Sequence, residues 1–364
     1  MKIVHFSNNS LAGMPLRLYR SLNALTEHDV RLVDLERYDL KQLGWYDHDV
    51  IFRESPEEAI ALAEEADILH LHNFLDLAST DFAPIDFAAL QKRGKVVVRQ
   101  FHSIPQLVAE RMGRPLEDVM EDDLPWLVIS HYPERYYPRA RVVPNFLPQD
   151  DPAYRPPAGE PEYDIFFGPT KMYDAWESRW STKGAPQTIH LMERLAWDTG
   201  CVVKWMHGKP LNEVLAVKRA SRIVLDDMAN GSIHLSGLEG LCQAKPVLCF
   251  LDERMVEVLR CLSGTSWHPF INVRLEDAEE VLRYLLVHQE EAAGMGREGR
   301  RWIDEHWSDR ALVRHFNEAY DILMDDPAKL VRQEELAIDG RLRGFKAREL
   351  PDIIYRSRAR RYRA

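Results

Sequence analysis

A chain of 364 residues is about twice the usual domain size, so two domains are expected. Its 45% apolar and 29% charged residues are those of an ordinary globular protein, and no apolar run approaches the roughly 18 residues that would span a bilayer. A formal net charge of −11 argues against general nucleic-acid binding.

The chain opens on a short β-rich run, KIVHF, whose four-residue apolar burst is broken by polar residues and reads as a first strand, not a signal peptide. PLRLYRSLNAL follows with apolar residues at helical spacing. Then come DVRLVDL, the helix-like PEEAIALAEEA, the strand DILHLH, the helix DFAALQKRG with a closing glycine, and the strand KVVVRQF. WLVIS and ARVVPN add two more strands, so residues 1–147 read as one Rossmann-like domain with a parallel sheet. The stretch 148–163 holds Pro148, Pro152, Pro156, Pro157 and Pro161 among acidic and small residues, the composition of an interdomain linker.

Alternation restarts over 164–330, with strands DIFFG, CVVKWMHG, RIVLDD and PVLCF, intervening helices and a long helical close. The fold class expected is α/β, two Rossmann-like doubly wound domains facing a cleft, with the ligand at the carboxyl ends of the strands. A C-terminal extension, 331–364, ends in a basic tail: from Arg341 onward nine Lys/Arg stand against Glu349 and Asp352. It reads either as a solvated terminus or as a docking segment for anionic lipid headgroups at the inner face of a membrane. The four cysteines form no CxxC and read as reduced core thiols of a cytoplasmic protein.

Strand-end loops are where chemistry is expected. Gly13, after the first strand, lets backbone approach a ligand closely. His70 and His72 sit at i, i+2 on one strand, but no third ligand has suggestive spacing, so no metal site is expected. His102 ends another strand and suits a polar substrate contact. In the second half Lys171, Arg179 and Lys183 offer cations for a diphosphate. The loop NGSIHLSG leads into the helix LEGLCQA, whose N-terminus would favour an anion. Glu239, in its first turn, has two carboxylate oxygens for a ribose diol.

With those residues in place, the chain resembles a GT-B glycosyltransferase of the family 4 ("glycosyl transferases group 1") type. Lys183–Gly184 is similar to the family's KG at a helix start, and LEGLCQAKPV to its lEamalGkPV. VLDDMANGSIHLSG resembles the vDqlxxGxyG of one subgroup, FFGPT its HaPT, VVPNFLP the family's viPNgvd and GREGRRWIDEHWS its C-terminal gragrefveehfs. The resemblance implies transfer of a sugar from a nucleotide-diphosphate sugar to an acceptor hydroxyl, with retention, in glycan or glycoconjugate synthesis. A glycan or lipid-linked acceptor is implied, no nucleic acid, and no cofactor or metal. Lys183 would hold the diphosphate, the backbone of Ser236, Gly237 and Leu238 would cap it, and Glu239 would bind the ribose. His102 would lie near the reacting sugar, and Gly13 in the loop meeting the diphosphate and acceptor. Lys183→Ala is expected to cost turnover and leave the fold intact.

Three departures qualify the match. Gly231 stands where the family's E-x7-E places its first Glu, which leaves Asp226 or Asp227 as the nearest carboxylate. Pro169 replaces the usual Arg after the strand-end glycine, with Lys171 or Arg179 as substitutes. The loop before Lys183 is longer than usual and carries Trp176 and Trp180. The alternatives are a non-catalytic GT-B binding protein and a nucleotide-sugar epimerase. A Rossmann oxidoreductase lacks support, since neither half has a glycine fingerprint with a downstream ribose acid.

Overall fold

The computed structural model describes residues 1–38, 46–173, 183–350, 352, 353 and 356. The chain forms two compact units, one of residues 1–146 with 309–337 and the other of 147–308 with 338–364.

The first unit holds a seven-stranded parallel sheet of β1 (Lys2–Ser7), β2 (Asp29–Asp34), β3 (Val50–Ile51), β4 (Ile68–His72), β5 (Val96–Phe101), β6 (Trp126–Ile129) and β7 (Arg141–Val143), in the order β3-β2-β1-β4-β5-β6-β7. Helices α1 (Met14–Leu25), α2 (Pro56–Glu65), α3 (Phe87–Lys92), α4 (Pro105–Met112) and α5 (Leu116–Met120) make the crossovers. Central strands are buried on both faces, and for that reason they read as nearly continuous apolar runs and not as alternating ones. The strand order reverses between β1 and β4, and ligands bind at such a switch point.

The second unit has a five-stranded parallel sheet of β8 (Tyr163–Phe167), β9 (Val203–Trp205), β10 (Ser221–Leu225), β11 (Val247–Cys249) and β12 (Ile271–Asn272), ordered β12-β11-β10-β8-β9. Its helices are α6 (Ala185–Thr199), α7 (Leu211–Arg219), α8 (Leu235–Cys242), α9 (Glu253–Ser263), α10 (Ala278–Val287) and α11 (Gln289–His306). Pro186 in its first turn and Gly200 at φ +75 after its end bound α6. Here the switch point lies between β8 and β10. A core of Ile165, Phe167, Met192, Leu195, Ile223 and Leu225 packs the sheet against its helices.

The division differs from the sequence reading at the C-terminus. Helix α12 (Asp309–Asp325), expected within a domain ending at residue 330, belongs to the first unit. Its apolar stripe of Leu312, Val313, Phe316, Tyr320 and Leu323 is buried, with Phe316 against Phe146. The segment after it is tied to the same unit. Arg332 pairs with buried Glu134 at 2.7 Å, and the Gln333 amide exchanges hydrogen bonds with the backbone of Val142 on the edge strand β7. The Pro-rich stretch is not a free spacer either: Tyr154 is buried, and Gln243 donates to the carbonyl of Ala153. Among the described residues no helix is long and apolar enough to cross a membrane. Most of the basic tail beyond residue 350 lies outside the described residues.

Candidate functional site

At the switch point of the second unit, three segments meet on one carboxylate. Asp226, directly after β10 and fully buried, takes the Lys183 ammonium on Oδ1 at 2.7 Å and the backbone N–H of His234 on Oδ2 at 2.8 Å. Lys183 and Gly184, both in the left-handed region (φ +46 and +56), deliver the chain into α6. Gly237 lies in the first turn of α8, and a Cβ there would stand 2.5 Å from Asp226 Oδ2. Only glycine lets the carboxylate sit this close to the helix mouth. The ion pair is buried on both sides, with Lys183 3% exposed.

Asp227 is buried beside it and fully bonded. Its Oδ1 accepts the N–H groups of Ala229 and Asn230, and its Oδ2 accepts Asn230 Nδ2 at 2.8 Å and His234 Nε2 at 2.9 Å. Burial pushes this carboxyl up, but the His234 contact and the two N–H groups outweigh it and hold it below the usual carboxylate range.

Glu239, in α8, is 4% exposed and accepts the Lys218 ammonium on Oε2 at 2.5 Å; the same ammonium donates to the Ser236 carbonyl at 3.1 Å. Among the described residues Glu239 Oε1 has no partner, and neither has the buried Ser236 Oγ, which lies close to Gly168 at the end of β8. The arrangement thus combines a helix N-terminus, an unspent hydroxyl, a buried lysine and a half-spent carboxylate at one sheet edge. Those groups suit a phosphate and a vicinal diol.

The absence of a carboxylate at position 231 has a backbone cause. Gly231 stands at φ +77, and a Cβ would lie 2.9 Å from Asp252 Cβ. Asp252 is itself fixed as the N-cap of α9, accepting the Met255 N–H at 2.9 Å. No side chain fits at 231 without rebuilding the loop.

At the switch point of the first unit, the sheet buries a chain of imidazoles. His5 Nδ1 lies 3.0 Å from His72 Nε2, and His72 Nδ1 lies 3.0 Å from His102 Nε2. The Tyr320 hydroxyl of α12 joins His70 Nδ1 at 2.9 Å to His5 Nε2 at 3.4 Å. Burial pushes His5 and His102 down to about 3, and His70 and His72 well below the ordinary imidazole range, so all four are neutral at pH 7. Asn73 fixes the far end, accepting the His102 N–H at 2.9 Å and donating to Ser103 Oγ.

The sequence reading found no third ligand for His70 and His72, and this is corrected: β1 places His5 against both, the three forming a buried cluster. Their rings lie within 13° to 26° of parallel. Imidazole lone pairs lie in the ring plane, so these run side by side where a tetrahedral ion needs them aimed at one point. Five of their six nitrogens meet one another, His102 or Tyr320, and His70 Nε2 is buried without a hydrogen-bond partner among the described residues.

No family model matches the chain, and no curated protein does. Solved structures do. A sucrose-phosphate synthase from Thermosynechococcus elongatus superposes with a TM-score of 0.54 at 12% identity, over 89% of this chain and 99% of that one. An α-glucosyltransferase in complex with UDP and a 13-mer DNA gives 0.60 at 14%, over 88% and 98%. The Anabaena HepE protein in complex with UDP gives 0.56 at 10%, over 88% and 100%. The chain has the fold of the GT-B glycosyltransferases.

On that GT-B fold, Lys183, Asp226, Ser236, Gly237, Leu238 and Glu239 come together at the sheet edge of the second unit. Lys171 is exposed on the loop after β8 and joins none of these contacts. Arg179, like Trp176 and Trp180, lies outside the described residues. Gly13, at φ +80, and His102 end strand loops of the first unit. Sequence reasoning missed Lys218, although it falls on the helical stripe Leu211, Val214, Leu215, Lys218, where a lone cation signals a buried partner. It also missed His234, His5 and Tyr320. The first two sit in short apolar runs, but Tyr320 is 250 residues from His70 and leaves no local signal.

Proposed function

We propose that this chain is a retaining glycosyltransferase that moves a sugar from a nucleotide-diphosphate sugar, a UDP-sugar first among them, to an acceptor hydroxyl. The observation that carries the reading is the junction of Lys183, the α8 N-terminus and Glu239 at the switch point of the second unit. The Gly237 and Leu238 N–H groups, expected to cap the diphosphate, donate instead to the His234 carbonyl at 3.1 and 3.4 Å. Departure of the diphosphate builds negative charge, which Lys183, the Ser236 N–H and the α8 dipole stabilise as it develops. With these groups neutralising the charge, the reaction requires no divalent metal or cofactor. Glu239, anchored by Lys218, keeps Oε1 for the ribose hydroxyls. UDP in the two neighbouring complexes supports uridine as the base.

Asp226 is the diphosphate's competitor in this reading: the ligand displaces its hold on Lys183, and the carboxylate then faces the sugar. Gly13 and His102, in the first unit, keep their proposed roles as a close backbone contact and a neutral polar contact to substrate. The acceptor is a glycan or a lipid-linked glycan at the cytoplasmic membrane face, reached through the basic tail. The net charge of −11 disfavours nucleic acid as acceptor, although one neighbour is complexed with DNA.

The test is incubation with UDP- and GDP-sugars, alone and with glycan, lipid-linked glycan or duplex DNA, reading released nucleoside diphosphate. Release that rises with a glycan or lipid-linked acceptor is expected. Donor isomerised without release favours an epimerase, release driven by DNA overturns the acceptor class, and no consumption of any donor overturns the enzymatic reading.

A further inference from the structure

The loop from Met228 to His234 presents one polar side chain to solvent. Asn230 and Ser232 are buried, whereas the His234 side chain is 23% exposed. That imidazole is held from two sides: its backbone N–H goes to Asp226 and its Nε2 to Asp227 Oδ2 at 2.9 Å. Asp227 is ionised and its oxygens already take three other donors, so it can only accept from the ring. Nε2 therefore carries the proton directed at Asp227, and in the neutral ring Nδ1, without a partner among the described residues, offers a lone pair at the mouth of α8.

We propose that His234, oriented by Asp227, is the specificity-determining residue for the donor sugar, its Nδ1 accepting a sugar hydroxyl in place of the carboxylate that Gly231 cannot supply. The inference rests on the reading of this sheet edge as the donor site. A rigid acceptor here selects for a hydroxylated sugar and contributes nothing to the bare nucleotide. An acceptor already held in one orientation bonds a matching hydroxyl without further ordering cost, which favours the sugar that supplies that hydroxyl. Asp227 acts through the ring as a positioning residue.

The experiment measures dissociation constants of UDP and UDP-glucose, and of GDP and GDP-mannose, for the whole chain and two variants. His234→Phe removes the acceptor and keeps a ring. It is expected to bind the free nucleotide as the parent does and to lose about tenfold or more in affinity for the nucleotide sugar. Asp227→Asn keeps His234 but offers it an amide N–H, because the Asn carbonyl still serves the two backbone donors. The imidazole then turns its lone pair inward, Nδ1 becomes a donor, and the sugar-specific loss should recur. An unchanged ratio of sugar to free-nucleotide affinity in His234→Phe overturns the proposal, as does equal loss of both ligands in both variants. If the parent binds none of the four ligands, the donor-site reading fails and this inference with it.

Discussion

Lowering the pH from 7 to 5.5 is expected to remove roughly 5 kcal/mol of stability at four buried imidazoles of the first unit, offset in part by Asp34, whose carboxyl is pushed up to about 8 by burial, so that over this window the folded state holds a proton there that the unfolded chain lacks. The cause is the chain His5, His72, His102 and His70. All four have folded-state pKa values depressed by burial, whereas the unfolded chain protonates them near 6.5. In the window between about 6.5 and 3 the unfolded state therefore binds more protons, and stability falls as the pH falls. Each imidazole contributes about 1.4 kcal/mol per pH unit there. Urea denaturation from pH 7.5 to 5 measures the slope, and a His70→Leu/His72→Gln variant should lose about half of the imidazole contribution to it. A flat profile in the parent would mean that the imidazoles are charged or solvated in the native state.

Lys183→Ala is expected to destabilise the second unit by about 3–5 kcal/mol, contrary to the sequence-based expectation of an intact fold. Removing the ammonium leaves Asp226 fully buried with the His234 N–H as its remaining donor. Lost activity in that variant would thus report unfolding as much as chemistry. Lys183→Met with Asp226→Asn removes both charges, and most of the stability should return while affinity for nucleoside diphosphate stays lost. Chemical denaturation and ligand titration on the single and double variants separate the two effects. A single variant as stable as the parent would show that the pair carries no structural burden.

Local patterns made the two α/β halves legible, because strands buried on both faces and amphipathic helices announce themselves within ten residues. The motif residues Lys183, Gly184 and Glu239 were legible for the same reason. Their partners were not. Asp226 lies 43 residues from Lys183 and Lys218 lies 21 from Glu239, and each pair forms only once the sheet is assembled. Gly231 read as a missing carboxylate, and the structure turns this into a constraint: with φ +77 and Asp252 against it, the loop excludes any side chain. His102 was singled out as a lone strand-end histidine. Its chain draws on β1, β4 and a helix that returns from beyond residue 308, a connection that composition and spacing do not encode.

The central claim is that a nucleoside diphosphate binds at the carboxyl edge of the second unit's sheet. Amide hydrogen exchange of the whole chain, with and without saturating UDP or GDP, tests it most directly. The account predicts slowed exchange at 183–188, where α6 begins, and at 231–239, where the loop enters α8. No protection with either nucleotide, or protection confined to the first unit, would contradict it.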